Sequence, residues 1–187
     1  MARFAAIIFL TIGCSFLALG LFLMWQRNDP NSLAFYGPDM VTLQTASASA
    51  QMPVRFSIPA ARINLPVYPS VITEHTWADT KKGVSFLKTS PLPGEIGNSI
   101  IYGHNWNVLL GRLTTVKPGD KIFVTYPDSL KVFTVRFTAT ISPNETFILK
   151  PTTDRRITVY TCTGFLDSKR FVVTATLDEP KTLSTAN

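Results

Sequence analysis

Lys131-Val132-Phe133-Thr134-Val135-Arg136-Phe137-Thr138-Ala139-Thr140-Ile141 is the longest β-like run in this chain. Its residues are mostly β-branched or aromatic, the types that fit a pleated, half-buried surface. Working outward, similar runs recur at short intervals. Downstream lie 156–161 and 170–177, and upstream lies 121–126, entered through the turn Lys117-Pro118-Gly119-Asp120. Further upstream are the compact run 99–102, the run 63–68 interrupted by Pro66, and 54–58, which alternates apolar and polar with period two. Gly, Pro, Asn and Asp clusters bound these runs, as turns require. Strands this closely spaced, with no long helix between them, predict an all-β domain of closed or sandwich type. Residues 108–116 are the one helical candidate here, because Leu109, Leu113 and Val116 share a face at helical spacing. No internal repeat is visible.

The N-terminus follows a different rule. Residues 4–25 carry no charged side chain. As a helix at about 1.5 Å per residue they span about 33 Å, enough to cross a hydrocarbon core. Trp25 stands at the outer edge, where an indole prefers the interface. A cleaved signal peptide is the rival reading. Its apolar part is usually only about 7–15 residues and ends near a small-residue site, whereas Gln26-Arg27-Asn28 follows here directly. An uncleaved anchor is therefore favoured. Charge flanking the segment leaves its orientation open. Residues 26–51 are polar and small and read as a linker or stalk. The expected organisation is an anchor at 1–25, a linker at 26–51, a β domain at 52–180 and a polar tail at 181–187.

With 187 residues, the chain suits one domain and an appendage. The net charge of +6 favours anionic surroundings. Basic residues are scattered, and no zinc-finger spacing or other nucleic-acid motif accompanies them, so nucleic acid is set aside as a partner. The two cysteines, Cys14 in the apolar block and Cys162 in the β domain, belong to different media and do not form a disulfide pair.

A thiol nucleophile needs a base or a positive field, and a donor for the developing oxyanion. Cys162 follows the run 157–161 and precedes Thr163-Gly164, so it stands where a strand opens into a loop and can expose a reactive group. His104 likewise follows a strand, while His75 lies in a polar stretch with no strand leading into it. Arg170 opens the last strand and holds its charge at any relevant pH. Lys169 is the confounder. Strand neighbours point to opposite faces, so only one of the two faces the thiol. Arg155 and Arg156 read as surface charges. On residue type alone, a buried structural Cys162 and an isolated His104 remain open alternatives.

Taken together, these residues resemble a family. Thr158-Val159-Tyr160-Thr161-Cys162 is similar to the T-L-x-T-C signature of sortases, with Val for Leu. Ile101-Tyr102-Gly103-His104 resembles the strand-ending Gly-His of the same family. Gly111-Arg112-Leu113 and Val116-Lys117-Pro118-Gly119-Asp120-Lys121 resemble the segment that follows it. Arg170 stands where the family's Arg opens the last strand. The similarity runs over residues 53–177.

The resemblance implies a closed β-barrel of about eight strands with short helices, behind an N-terminal transmembrane helix. It implies a cysteine transpeptidase acting on a sorting signal of the L-P-x-T-G kind, cleaved between Thr and Gly through a thioacyl-enzyme. Cys162 is then the nucleophile, His104 the acid/base and Arg170 the oxyanion donor, with Thr161 and Tyr160 beside the substrate. The partners implied are a surface-protein substrate, a peptidoglycan precursor or other amine acceptor, and the cytoplasmic membrane through residues 4–25, with the domain outside. Cofactor and metal are expected to be none. Several family members bind calcium, but Glu95, Glu145 and Asp154 are too scattered to assign a site. Asp29-Pro30-Asn31 matches the family's Asp-Pro-aromatic lid only weakly, which favours a protein-anchoring enzyme. Three alternatives stand beside this reading: a hydrolase of the same fold, a non-catalytic membrane-tethered β module, and an L,D-type transpeptidase. The last lacks support, because its S-x-G-C-x-R motif is absent around Cys162.

Overall fold

The computed structural model describes residues 2–26, 33–36, 51–73 and 76–178. The tail 181–187, His75, Asp29-Pro30 and most of 26–51 lie outside them. Helix α1 (Ala2–Gln26) contains a stretch, Ala6–Trp25, that is long and apolar enough to cross a membrane. None of that stretch is buried against the rest of the protein. Its apolar side chains therefore require another apolar medium.

Among the described residues ten strands follow: β1 (Arg55–Ile58), β2 (Ile63–Ser70), β3 (Ile72–Thr73), β4 (Thr76–Trp77), β5 (Val84–Leu87), β6 (Gly97–Tyr102), β7 (Lys121–Thr125), β8 (Leu130–Ile141), β9 (Arg155–Thr163) and β10 (Lys169–Leu177). Eight of them close a barrel in the order β1-β2-β5-β6-β9-β10-β8-β7, as the sequence led us to expect, while β3 and β4 form a separate two-stranded sheet. Closure leaves no unpaired edge. The pairs β2–β5 and β6–β9 are parallel and the others antiparallel.

Two features depart from the sequence reading. Val84-Ser85-Phe86-Leu87 is a strand that was not anticipated, since it has no period-two alternation. All four residues are buried, as expected of a strand covered on both sides. It pairs in parallel with β2, and Gly83 makes that approach possible, because a Cβ there would lie 2.2 Å from the Pro66 carbonyl oxygen. The helix expected at 108–116 is instead a turn followed by a 3-10 turn, Leu113–Thr115. Gly111 packs where a Cβ would stand 2.7 Å from the Trp106 backbone, and Pro118 follows closely, so a longer helix has no room to form.

The barrel wall is buried on its inner face throughout and on its outer face in part. All eight barrel strands contribute to the lumen core, including Phe56, Phe86, Ile101, Phe133, Ile157, Val159 and Val173. A second cluster covers the outer face of the β5-β6-β9-β10-β8 wall. It contains Ile100, Tyr102, Tyr160, Cys162 and Val172, together with Trp77, Ile148, Leu149 and Leu33-Ala34-Phe35. The last three fall in the stretch expected to be a linker, yet they are fully or almost fully buried. Period-two alternation sorts the side chains of β9 between the two cores: Ile157 and Val159 point into the lumen, Tyr160 and Cys162 outward.

Candidate active site

Three neighbouring strands, β6, β9 and β10, deliver the site. The antiparallel register of β9 and β10 sets Arg170 directly opposite Cys162. Side chains so paired have Cβ atoms about 4.5–5.5 Å apart. Lys169 pairs with Thr163 and is exposed, whereas Arg170 is only 2% exposed, so alternation selects Arg170 for the thiol's face. The parallel register of β6 and β9 matches Tyr102 with Tyr160 and continues past the strand end. There Gly103 donates its N–H to the Tyr160 carbonyl (3.3 Å), and Thr161 Oγ1 donates to the Gly103 carbonyl (2.7 Å). This carries His104 to the level of Cys162, on the next strand and on the same face. Adjacent strands lie about 4.8 Å apart. The three side chains proposed from sequence are thus brought together at one end of the wall.

Each is held differently. Cys162 takes part in no disulfide and is 2% exposed, within the cluster that contains Leu33, Ala34 and Phe35. The exposure expected of a strand end is not found, because 33–35 covers the outer wall. Arg170 donates from Nη1 to the carbonyls of Asp167 (2.8 Å) and Lys169 (3.0 Å), and from Nη2 to that of Ala34 (2.7 Å). Its guanidinium lies 5.8 Å from the centre of the Phe35 ring. Backbone carbonyls are weak partners for a buried cation compared with a carboxylate, so these donors are well suited to meet a developing negative charge. His104 is 3% exposed, and its ring stacks on Trp106 with centroids 4.4 Å apart and planes 7° from parallel. Its Nε2 forms an ion pair with Asp79 Oδ2. The hydrogen bond and charge of His104 hold the Asp79 carboxyl below its ordinary value, against the opposing effect of burial, with Lys81 adding to the lowering.

The two residues expected beside the substrate are both buried. Thr161 points to the opposite face of β9 from Cys162 and spends its hydroxyl on Gly103. Tyr160 shares the face of Cys162 but is fully buried. Its ring stacks on Tyr102 (5.4 Å, 12°), and its hydroxyl donates to the Leu33 carbonyl (3.2 Å). Burial pushes both phenols well up, so Tyr102 and Tyr160 remain protonated donors. Two participants were missed. The Ala34 carbonyl reaches Arg170 from a polar, linker-like stretch, and Asp79 sits in an unpatterned polar loop 25 positions before His104. Neither carries a local sequence signal. Glu95, Glu145 and Asp154 are each engaged locally, by the Leu92 N–H (3.0 Å), the Ser142 N–H (2.7 Å) and Arg156 (2.8 Å). Among the described residues no group of three or more His, Cys, Asp or Glu is placed to hold a metal ion.

A thiol, an imidazole and a guanidinium on one face form a set that can attack an acyl carbon, move a proton and stabilise an oxyanion. Comparison with known proteins places the chain in a family. The sortase domain family matches residues 56–178. Sortase A of Listeria monocytogenes is 31% identical over 132 residues, which is 68% of this chain and 57% of the relative; this chain therefore spans little more than half that relative's length. Sortase A of Bacillus anthracis is 28% identical over 145 residues, covering 75% of this chain and 67% of the relative. The crystal structure of the Listeria enzyme superposes with a TM-score of 0.59 at 31% identity, over 70% of this chain and 89% of that one. The match spans β6, β9 and β10, the strands that carry or lead to all three side chains, and on it the chain belongs to the sortase family.

Proposed function

We propose that this protein is a membrane-anchored cysteine transpeptidase that cleaves a sorting signal of the L-P-x-T-G kind after its Thr and passes the acyl group to an amine of the cell wall. The observation that carries this reading is the pair of registers that sets Arg170 opposite Cys162 and runs β6 into His104 beside them. In the proposed reaction the Cys162 thiolate attacks the Thr carbonyl carbon and a C–S bond forms. Negative charge develops on the carbonyl oxygen, and Arg170 donates to it. His104, as imidazolium, gives its proton to the departing amine as the C–N bond breaks, leaving a thioacyl-enzyme and a neutral ring. An incoming amine then attacks the thioester, His104 takes back a proton, and the Cys162 thiolate is restored.

Helix α1 supports anchoring in the cytoplasmic membrane, and sortase membership supports an external domain, where substrate and acceptor meet. The test uses the full chain in detergent micelles with an L-P-x-T-G peptide and an added primary amine. We expect an aminolysis product that rises with amine concentration, and none from Cys162→Ala. A wild-type product that is only the free acid at every amine concentration would make the protein a hydrolase instead. No cleavage by wild type, with Cys162 inert after Leu33-Ala34-Phe35 has been loosened by substitution, would leave a non-catalytic module.

A further inference from the structure

The imidazole needs a fixed orientation as well as a protonated state, and the fold supplies a residue for that purpose from outside the barrel. Trp77, at the end of β4, is 1% exposed and packs edge-on against Tyr102 (5.3 Å, 80°) and Tyr160 (6.0 Å, 81°). The next residue, Ala78, is fixed at both backbone groups. Its N–H donates to the Val71 carbonyl (3.2 Å), and its carbonyl accepts from Tyr102 Oη, which also lies 2.9 Å from Ser70 Oγ. Asp79 comes next, so its carboxylate is presented from an anchored backbone rather than a free loop. It meets Nε2 of His104, and no other group among the described residues hydrogen-bonds that nitrogen. Trp106 covers one face of the same ring. Stacking limits the tilt of the imidazole, the carboxylate limits its rotation, and Nδ1 is the nitrogen that Asp79 does not engage. Tyr102 thus does two jobs: it anchors the segment that carries Asp79 and leads β6 to His104.

We infer that Asp79 is the positioning residue of His104: its carboxylate holds the ring in the orientation from which the imidazolium delivers its proton to the leaving amine. The role rests on the transpeptidase reading above. It concerns only the step in which the C–N bond breaks and the proton passes from His104 to nitrogen. A leaving group that departs as a stable anion needs no such proton, and this difference separates positioning from a merely structural role.

The experiment compares two acyl donors that share one acyl part, the L-P-x-T-G peptide and a thioester of L-P-x-T. The full chain in micelles is held in excess over donor, and release of the first leaving group is followed in a single turnover, so that the later amine step does not enter. For Asp79→Asn we expect the saturating acylation rate on the peptide to fall about 10- to 100-fold, with the half-saturating concentration within about twofold, since the loss falls on one proton transfer of general-acid type. On the thioester we expect less than about a threefold change, and we expect Asp79→Glu to recover most of the loss on the peptide. Equal losses on both donors, or none on either, overturn the positioning role while Cys162→Ala remains inactive. If Cys162→Ala releases the amine as fast as wild type, the transpeptidase reading itself falls, and the role of Asp79 with it.

Discussion

The two faces of β9 make opposite uses of one strand. Inward, Ile157 and Val159 join an apolar cluster to which every barrel strand contributes. Outward, Thr158, Tyr160 and Cys162 meet hydroxyls, stacked rings, a guanidinium and, at the strand's end, an imidazole. The lumen cluster gains from dispersion and burial and asks for shape and volume. The outer face buries polar groups that must each find a partner, and each has one from a distant part of the chain: Asn98 for Thr158, Leu33 for Tyr160, Ala34 for Arg170 and Asp79 for His104. The lesson is that the lumen face makes the wall rigid, so that the outer face can hold a thiol, an imidazole and a guanidinium from three adjacent strands.

That division can be broken at several points. The largest effect is expected from Cys162→Ala, which should lower peptide cleavage by at least about 10³-fold while leaving the melting temperature within a few degrees; normal turnover would remove the nucleophile from the outer face altogether. Arg170→Ala should cost about 10²–10³-fold in acylation rate, as loss of an oxyanion donor does. Lys169→Ala should change it less than about threefold, because its side chain is exposed on the other face. The reverse ranking would mean that the register is displaced by one residue. Ile157→Ala probes the lumen: denaturant unfolding should report a loss of about 2–5 kcal/mol, with the acylation rate of the folded fraction unchanged. A selective loss of activity there would mean that the two faces are not separable.

Smaller effects sharpen the outer face. Phe35→Ala should loosen Leu33-Ala34-Phe35 and raise methanethiosulfonate labelling of Cys162 by roughly tenfold, the change that about 1.4 kcal/mol of lost local stability brings. Wild-type labelling is expected to be slow even for a nucleophile, because Cys162 is buried in that cluster. The smallest effect is a pH dependence. The Asp79 carboxyl is lowered in the folded protein, chiefly by His104. Its contribution to stability is therefore complete above the ordinary carboxylate value of 3.8 and is lost as pH falls through the depressed folded value. The melting-temperature gap between wild type and Asp79→Asn should narrow as pH drops from about 5 toward 2. A gap that widens there would mean that the carboxylate is not the form paired with His104.

Local pattern sufficed for the apolar helix and the long alternating strands, and resemblance to a family singled out Cys162, His104 and Arg170. Hydropathy and period two are properties of neighbouring positions, and a thiol, an imidazole and a guanidinium at strand ends carry their chemistry with them. Alternation even separated Arg170 from Lys169, since opposite faces are assigned by counting. Tertiary structure alone decided that Val84–Leu87 is a strand, that Leu33-Ala34-Phe35 lies on the outer wall over a buried thiol, and that Asp79 reaches His104. Each depends on a surface formed by residues far away in the chain. A four-residue run becomes a strand when another strand offers it hydrogen bonds, a small apolar triplet is buried when a wall exists to receive it, and a carboxylate finds its imidazole only after a Trp and a Tyr have anchored the loop between them.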